Sequence, residues 1–482
     1  MPASSPRAFG PRPVAHSHAS ARREASLDAP QEMAPERVRA VIEVSIRASE
    51  LMLASGASAS TATALATRLA GALGLVVGVD ITYTRIVVSQ DSTVTAPITV
   101  MRLAPAGGQD YDRLARVEHL VKAVTRDGLD LQIVQRRLRH IASEPRDYAG
   151  WLRLLASAVL GGGIALMLNG GIADVLACML ATIGVERVRS ALIIRRVSNF
   201  FSQAIAAILP TVLGLLVMAM QPVLGDRLPL PTPSTVVAAG MVSLLAGIGV
   251  VTAASDAVDG YYLTASARIL EVTVLTAAIV VGLLTTLSLG LALGVPGQLV
   301  PTADSEGSWP LRLLAGGLVA ICFGVGCVLA PASLPAAMVL GVLAQASYLV
   351  FHQAIPSAPA ASGLGAILLG LLARLASRRL RTPTVALVTT SVASLMPGLL
   401  LYRGVFAVLF NAPMQQGESA ASILSDCALT AILLAAGSSL GLSLAGLLLR
   451  IMQHSPEVAL APVATEDEEL DRPRSSRIFT AS

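Results

Sequence analysis

The carboxylates that could do chemistry stand where an apolar sequence has least use for them. Glu271 lies just inside one long apolar run (269–293) and Asp426 just inside another (421–450). An ionisable side chain in lipid is costly, so by default it marks a path for ions or substrate. One of these two acids is expected to carry a proton; the plainer alternative is an interfacial carboxylate that is solvated or paired to Arg268. Asp256 and Asp259 follow the Gly-rich stretch Ala246-Gly247-Ile248-Gly249. They suit a substrate ammonium or a proton relay, although loop acids need no such role. Asn199, Gln203 and Gln353 offer amides that hold a carboxylate or hydroxyl without charge, and amides equally bridge helices. Arg403, after Tyr402, would attract a carboxylate or snorkel to headgroups. Asp174, at a helix start, reads as an N-cap, and His352 as a solvated loop residue.

Other chemistries find little support. Cys178, Cys322, Cys327 and Cys427 lie in apolar segments without the spacing of a metal site, so neither a metal nor a cofactor is expected. Ser58, Ser60 and Thr61, with His119 and His140 as partners, invite a nucleophile hypothesis. There is no GxSxG elbow, and a capped helix start explains the cluster better. The chain does not read as an enzyme.

The elements that must position these groups are mostly membrane helices. The 482 residues are 54% hydrophobic and 14% charged, against about 25% charged in a soluble domain. After Trp151 the apolar residues gather in runs long enough to cross a bilayer. Net charge is only +4, and no basic patch interleaved with aromatics suggests nucleic acid. Residues 1–34 read as a disordered tail with no apolar signal-peptide core, which leaves insertion to the first spanning helix. Residues 35–146 read as a small α+β cytosolic domain. It has helices over Val38–Leu53, up to Leu73, Asp110–Thr125 and Leu129–Ser143, and strands over Val76–Ser89 and Thr93–Leu103. A first membrane half (147–294), a polar external loop (295–310), a second half (311–452) and a disordered acidic tail (453–482) follow.

Ten spans are expected, at about 152–168, 172–186, 197–219, 234–254, 269–293, 311–330, 333–350, 360–376, 384–402 and 421–450. With the N-terminus inside, Arg187, Arg189, Arg195, Arg196, Arg268, Arg374, Arg378, Arg379 and Arg381 fall in cytoplasmic connections. Arg227, Arg312 and Arg403 fall outside. That asymmetry places both termini in the cytoplasm of a multi-pass protein of the inner (plasma) membrane.

Short strings recur in order. Leu152-Arg153-Leu154-Leu155-Ala156 returns as Leu311–Ala315, and Phe201-Ser202-Gln203-Ala204-Ile205 as Phe351-His352-Gln353-Ala354-Ile355, at offsets of 159 and 150. Thr232-Pro233 pairs with Thr382-Pro383, Ser243–Gly247 with Ser394–Gly398, and Leu275-Thr276-Ala277 with Leu429-Thr430-Ala431. Five helices per half is an odd number, so the second copy must enter from the opposite side. The expected fold is therefore an all-α polytopic membrane protein of two inverted five-helix repeats behind a cytosolic domain. Such repeats bind substrate near the midplane, beside interrupted helices. Met396-Pro397-Gly398 is one interruption and the stretch around Gly247 another. In this alignment Glu271 and Asp426 miss each other by one position (271 plus 154 is 425). Gly290-x-x-x-Gly294 and Gly437-x-x-x-Gly441 are spaced to pack helices within the chain or in a homo-oligomer.

Four segments, in this order and architecture, resemble the bacterial threonine/serine exporter family in its fused two-half form. They are Leu53–Thr61 with the helix ending Ala72-Leu73-Gly74-Leu75; Val79-Asp80-Ile81-Thr82-Tyr83-Thr84; Asp256-Ala257-Val258-Asp259-Gly260 with Ala267–Glu271; and Met396-Pro397-Gly398 through Gly404. The resemblance covers about residues 36–452. It implies export of threonine and serine across the inner membrane, driven by the proton motive force. Split members of the family imply a dicarboxylate as the alternative cargo, for which the helices offer few mid-span cations. A membrane-anchored hydrolase or signalling module is the reading from another class. The chain departs from the pattern at Leu245-Ala246-Gly247, where many relatives carry Pro-Gly, so the two interruptions are not expected to match.

Overall fold

The computed structural model describes residues 33–90, 97–104, 108–144, 148–224, 229–244, 247–295, 308–396, 398–410 and 419–452. Both tails, Arg227, Leu245-Ala246, most of the 295–310 loop and Pro397 lie outside the described residues.

Residues 35–143 hold four helices and a small sheet. Helix α1 (Pro35–Ala54) buries Val38, Val41, Ile42, Ile46 and Met52, the stripe that its 3.6-residue period requires. Helix α2 (Ala59–Ala72) is capped by Ser58, whose Oγ accepts the Thr61 amide at 3.2 Å. The Val76–Ser89 run is two strands rather than one. β1 (Gly78–Ile81) turns at Thr82–Thr84 into β2 (Arg85–Gln90), which pairs antiparallel with β3 (Ile98–Leu103). The Val/Ile/Thr composition is uniform across that turn, so composition alone did not show it. Helix α3 (Tyr111–Asp127) is capped by Asp110 and stopped by Gly128 in the left-handed conformation. Helix α4 (Leu131–Ser143) packs against α1 and α3 through Val134 and Leu138.

Twelve further helices follow: α5 (Gly150–Met167), α6 (Ile172–Ile194), α7 (Asn199–Leu224), α8 (Pro233–Leu244), α9 (Gly247–Val258), α10 (Tyr262–Ala292), α11 (Trp309–Gly326), α12 (Leu334–Ala354), α13 (Ala358–Leu380), α14 (Thr384–Val392), α15 (Gly398–Phe410) and α16 (Ala420–Met452). Among the described residues seven are long and apolar enough to cross a membrane singly, namely α5, α7, α10, α11, α12, α13 and α16. An eighth span is made if α14 and α15 count as one helix bent by 47°. Of the ten expected spans, two fall short of that test. Helix α6 carries Asp174, Glu186, Arg187 and Arg189, and the fourth span is described only on either side of residues 245–246, as α8 and α9.

The halves pack alike. In the first, α5 meets α6, α7 meets α10, and α8 meets α5, α6 and α7; in the second, α11 meets α12, α13 meets α16, and α14 meets α11, α12 and α13. The glycines give the register. A Cβ on Gly282 would fall on the Ala204 carbonyl oxygen and 3.1 Å from the Ala207 Cβ. One on Gly437 would fall on the Gly363 carbonyl oxygen and 3.2 Å from the Ala366 Cβ. Ala204 and Gly363 are 159 apart, the offset of the LRLLA strings. The Phe201 and Phe351 strings, 150 apart, are therefore not equivalent: the first opens α7 and the second closes α12. Their likeness is coincidence of composition, and the Ser202–His352 pairing goes with it. Gly282 and Gly437 are 155 apart, and the same step carries Glu271 onto Asp426 without displacement.

Gly437 and Gly441 are used inside the chain, where α16 lies against Gly363, Ile367 and Gly370 of α13. Of the other pair, Gly290 faces Leu215 of α7, and Gly294 ends α10 at φ +76° with nothing near it.

Candidate functional site

Two regions collect the residues picked out by their chemistry. The first is the broken helix of the second half and what faces it. Helix α14 passes through a 3-10 turn (Ala393–Leu395), Met396 is extended, and α15 starts at Gly398. In the first half α8 is described to Leu244 and α9 from Gly247, and residues 245–246 between them lie outside the described residues. Buried Gln203 donates its side-chain amide to the Leu244 carbonyl. Of the three amides, Gln203 alone reaches this region; Asn199 and Gln353 are exposed near helix ends. Around the break at Met396, Thr390, Ser391 and Ser394 are buried and bonded to carbonyls of their own turn. Tyr402 is fully buried one turn beyond, and Arg403 is half-buried beside it. Helix α15 touches α8, α10 and α16, so this break lies where the two halves meet.

The second region joins the N-terminal unit to the α9–α10 connection. Asp256 is fully buried. Its Oδ1 accepts the amides of Ala59 (2.8 Å) and Ser60 (3.5 Å), at the start of α2. Its Oδ2 lies 3.2 Å from Arg268 Nε. The Arg268 guanidinium also donates to Thr252 Oγ1 (3.1 Å) and to the Ala57 carbonyl (3.2 Å). A carboxylate on a helix N-terminus meets free amides and the positive end of the helix dipole together. Two tight turns make the approach. Gly56 precedes α2 at φ +96°, and Gly260 sits between α9 and α10 at φ +87°, conformations that a side chain disfavours. Beside them Thr264 Oγ1 donates to the Ile81 carbonyl (3.2 Å), and the Tyr83 hydroxyl meets the Glu271 carboxylate. Burial, then Glu271, pushes the Tyr83 phenol up to about 12.

The predicted acids thus part company. With both oxygens of Asp256 engaged by protein groups, it is not open to a substrate ammonium in this conformation. Arg268 pairs with Asp256 rather than Glu271. Asp259 is exposed, Glu271 is half-buried under Tyr83, and Asp426 is exposed near the start of α16. Asp174 holds a helix start: it accepts the Gly171 amide at 2.8 Å and the Thr232 amide at 2.5 Å. Ser333 and Thr382, bonded through their hydroxyls at 2.5 Å, occupy the same place in the second half. Tyr83, and the Ala59 and Ser60 amides that receive Asp256, were not singled out from sequence. The available signal was that three of the four segments carrying the family resemblance contribute to this one contact. Among the described residues no cluster of His, Cys, Asp and Glu could hold a metal.

Comparison with known proteins points one way. Residues 43–290 match a family model described as "Putative threonine/serine exporter", and residues 313–447 match a second, "Threonine/Serine exporter, ThrE". A Mycobacterium tuberculosis protein named "Probable threonine/serine exporter" is 31% identical over 416 residues, which is 84% of this chain and 76% of the relative. A Corynebacterium glutamicum "Threonine/serine exporter" is 27% identical over 425 residues, 87% of this chain and 85% of the relative. No solved structure matches. With apolar helices fit to span a membrane and family matches across both halves, the chain belongs to the threonine/serine exporter family.

Proposed function

We propose that this protein is a secondary exporter of threonine and serine, driven by the proton motive force through alternating access of two inverted halves. The carrying observation is the helix broken at Met396, where α14 and its 3-10 turn give way to α15 with a bend of 47°, at the interface of the halves and beside α8, whose Leu244 carbonyl takes the buried Gln203 amide. Broken helices at such an interface present freed backbone groups to a zwitterion's carboxylate and ammonium. Gln203, Gly247, Pro397, Gly398 and Arg403 belong to this site on the proposed reading. Asn199 and Gln353 lie away from it, at helix ends.

The contacts of the N-terminal unit support ten spans and opposed halves. The unit touches the end of α9 and start of α10, the end of α11, and the end of α13 with Thr389 of α14. All three places are connections that the ten-span reading puts in the cytoplasm, together with both termini. It meets the C-terminal end of the α8–α9 segment in the first half, but α14, the N-terminal part of the counterpart α14–α15, in the second. Counterparts that face one side with opposite ends run in opposite directions. Glu271 and Asp426 then sit at equivalent positions toward opposite faces of the membrane, as entry and exit points for the coupled proton.

The test is reconstitution into liposomes with an imposed pH gradient and labelled threonine, serine and succinate. Gradient-dependent threonine and serine movement that collapses with an uncoupler is the expected result. Succinate movement instead would favour the dicarboxylate cargo, and uncoupler-insensitive movement would remove proton coupling. If Glu271→Gln and Asp426→Asn both transport normally, neither acid carries the proton.

A further inference from the structure

The N-terminal unit grips both membrane halves, with different chemistry on each. Against the second half the contact is a merged core. Tyr111 is completely buried, its amide donates to the Cys327 carbonyl at 3.1 Å, and its hydroxyl meets Thr389 Oγ1 at 2.8 Å. The Asp112 amide donates to the Val328 carbonyl at 2.9 Å. Cys327, Leu329, Ala337 and Ala386 share one buried cluster with Ile42, Leu114 and Val117. Parting these surfaces would expose apolar area to water. Against the first half that cluster reaches only the partly buried Tyr261 among the described residues, and the other contacts given are hydrogen bonds: Asp256 on the Ala59 and Ser60 amides, Arg268 on the Ala57 carbonyl, Thr264 on the Ile81 carbonyl, Tyr83 on Glu271. Polar contacts exchange for water with small net loss, so this is the side that can part.

We propose that the N-terminal unit moves with the second half as one body, and that its contact around Asp256 and Arg268 is a latch. The latch closes the cytoplasmic side and opens in each transport cycle. This rests on the alternating-access reading above. The latch has no equivalent in the second half: the positions that match Asp256 and Arg268, by offsets of 151 and 155, are Ala407 and Ile423. One face of the membrane part thus has a releasable cover that repeat symmetry alone would not supply.

Two disulfides distinguish the contacts, in a background with Cys178, Cys322, Cys327 and Cys427 replaced by serine. One variant carries Ile81→Cys with Thr264→Cys across the latch. The other carries Asp112→Cys with Val328→Cys across the merged core. Each is assayed in proteoliposomes for threonine export, oxidised and reduced, and for its rate of disulfide formation with and without threonine. Oxidation across 81–264 is expected to cut export at least tenfold, with recovery on reduction, while oxidation across 112–328 changes it less than twofold. Threonine is expected to slow 81–264 bond formation severalfold and leave 112–328 unchanged. Full export with 81–264 closed, or arrest with 112–328 closed, overturns the latch. Absence of export from the unmodified protein overturns the transport reading instead; an 81–264 rate that no addition of threonine alters then overturns the latch as well.

Discussion

Asp256 is the residue whose environment most constrains its role. A buried carboxylate is tolerable only when paired and hydrogen-bonded, and here the partners come from residues about two hundred positions away. Removing one partner of a buried pair costs about 3–5 kcal/mol. Arg268 keeps some solvent access at 17% exposure, so the lower end applies. Asp256→Ala, which leaves Arg268 unpaired and takes the acceptor from the Ala59 and Ser60 amides, is expected to destabilise the protein by about 3 kcal/mol, with accelerated protease cleavage between residues 35 and 146. Asp256→Asn, which keeps an acceptor for the Ala59 amide, should lose less. Tyr83 gives a pH test. Its phenol rises from 10.0 to about 12 in the folded protein, so the docked state favours the neutral form. The contribution is complete below pH 10 and is lost as pH rises through 12. Ultraviolet titration of the protein against Tyr83→Phe should show this late ionisation. Glu271→Gln should lower the value only in part, because burial is the larger cause.

Within each half, helices are held together through close backbone contact. A Cβ at Gly441 would fall on the Ile367 carbonyl oxygen, whereas one at Gly446 in the same helix meets nothing within 4 Å. Gly441→Ala should therefore force α16 off α13 and destabilise by about 1–3 kcal/mol. Gly446→Ala should be neutral or stabilising by up to about 1 kcal/mol. Thermal unfolding in detergent compares the two. The tie between second and fourth helices is made by unlike chemistry in each half, Asp174 to the Thr232 amide and Ser333 to Thr382. Asp174→Ala, which also strips the N-cap amide of Gly171 of its acceptor, should cost about 1 kcal/mol.

For the whole molecule, the merged core makes the N-terminal unit part of the transporter rather than an attachment. Removal of residues 1–146 exposes Cys327, Leu329 and Ala386, each at most 2% exposed in the intact chain. The truncated protein should aggregate on extraction and export nothing, as checked by size-exclusion profile and liposome assay. Export by the truncated form would show instead that the unit is dispensable.

Much of the architecture was legible because apolar runs and periodicity are local properties. The spanning segments, the helices of residues 35–143, the Ser58 cap and the doubled LRLLA strings all follow from neighbours in sequence. The register of the repeat was less so. Leu/Ala-rich helices resemble one another by composition, and only the Gly282 and Gly437 contacts showed that the Phe201 and Phe351 strings are not equivalent and that Glu271 corresponds in position to Asp426. The bond from Gln203 to the Leu244 carbonyl was equally hidden, since it joins two helices that only packing brings together. Sequence by itself determined which segments are apolar enough to span and which acids are out of place in them, because hydropathy and charge belong to single residues. Tertiary structure alone decided that Asp256 is clasped by α2 and Arg268, and that Glu271 lies under Tyr83, because the satisfaction of a buried charge depends on groups that only folding brings near.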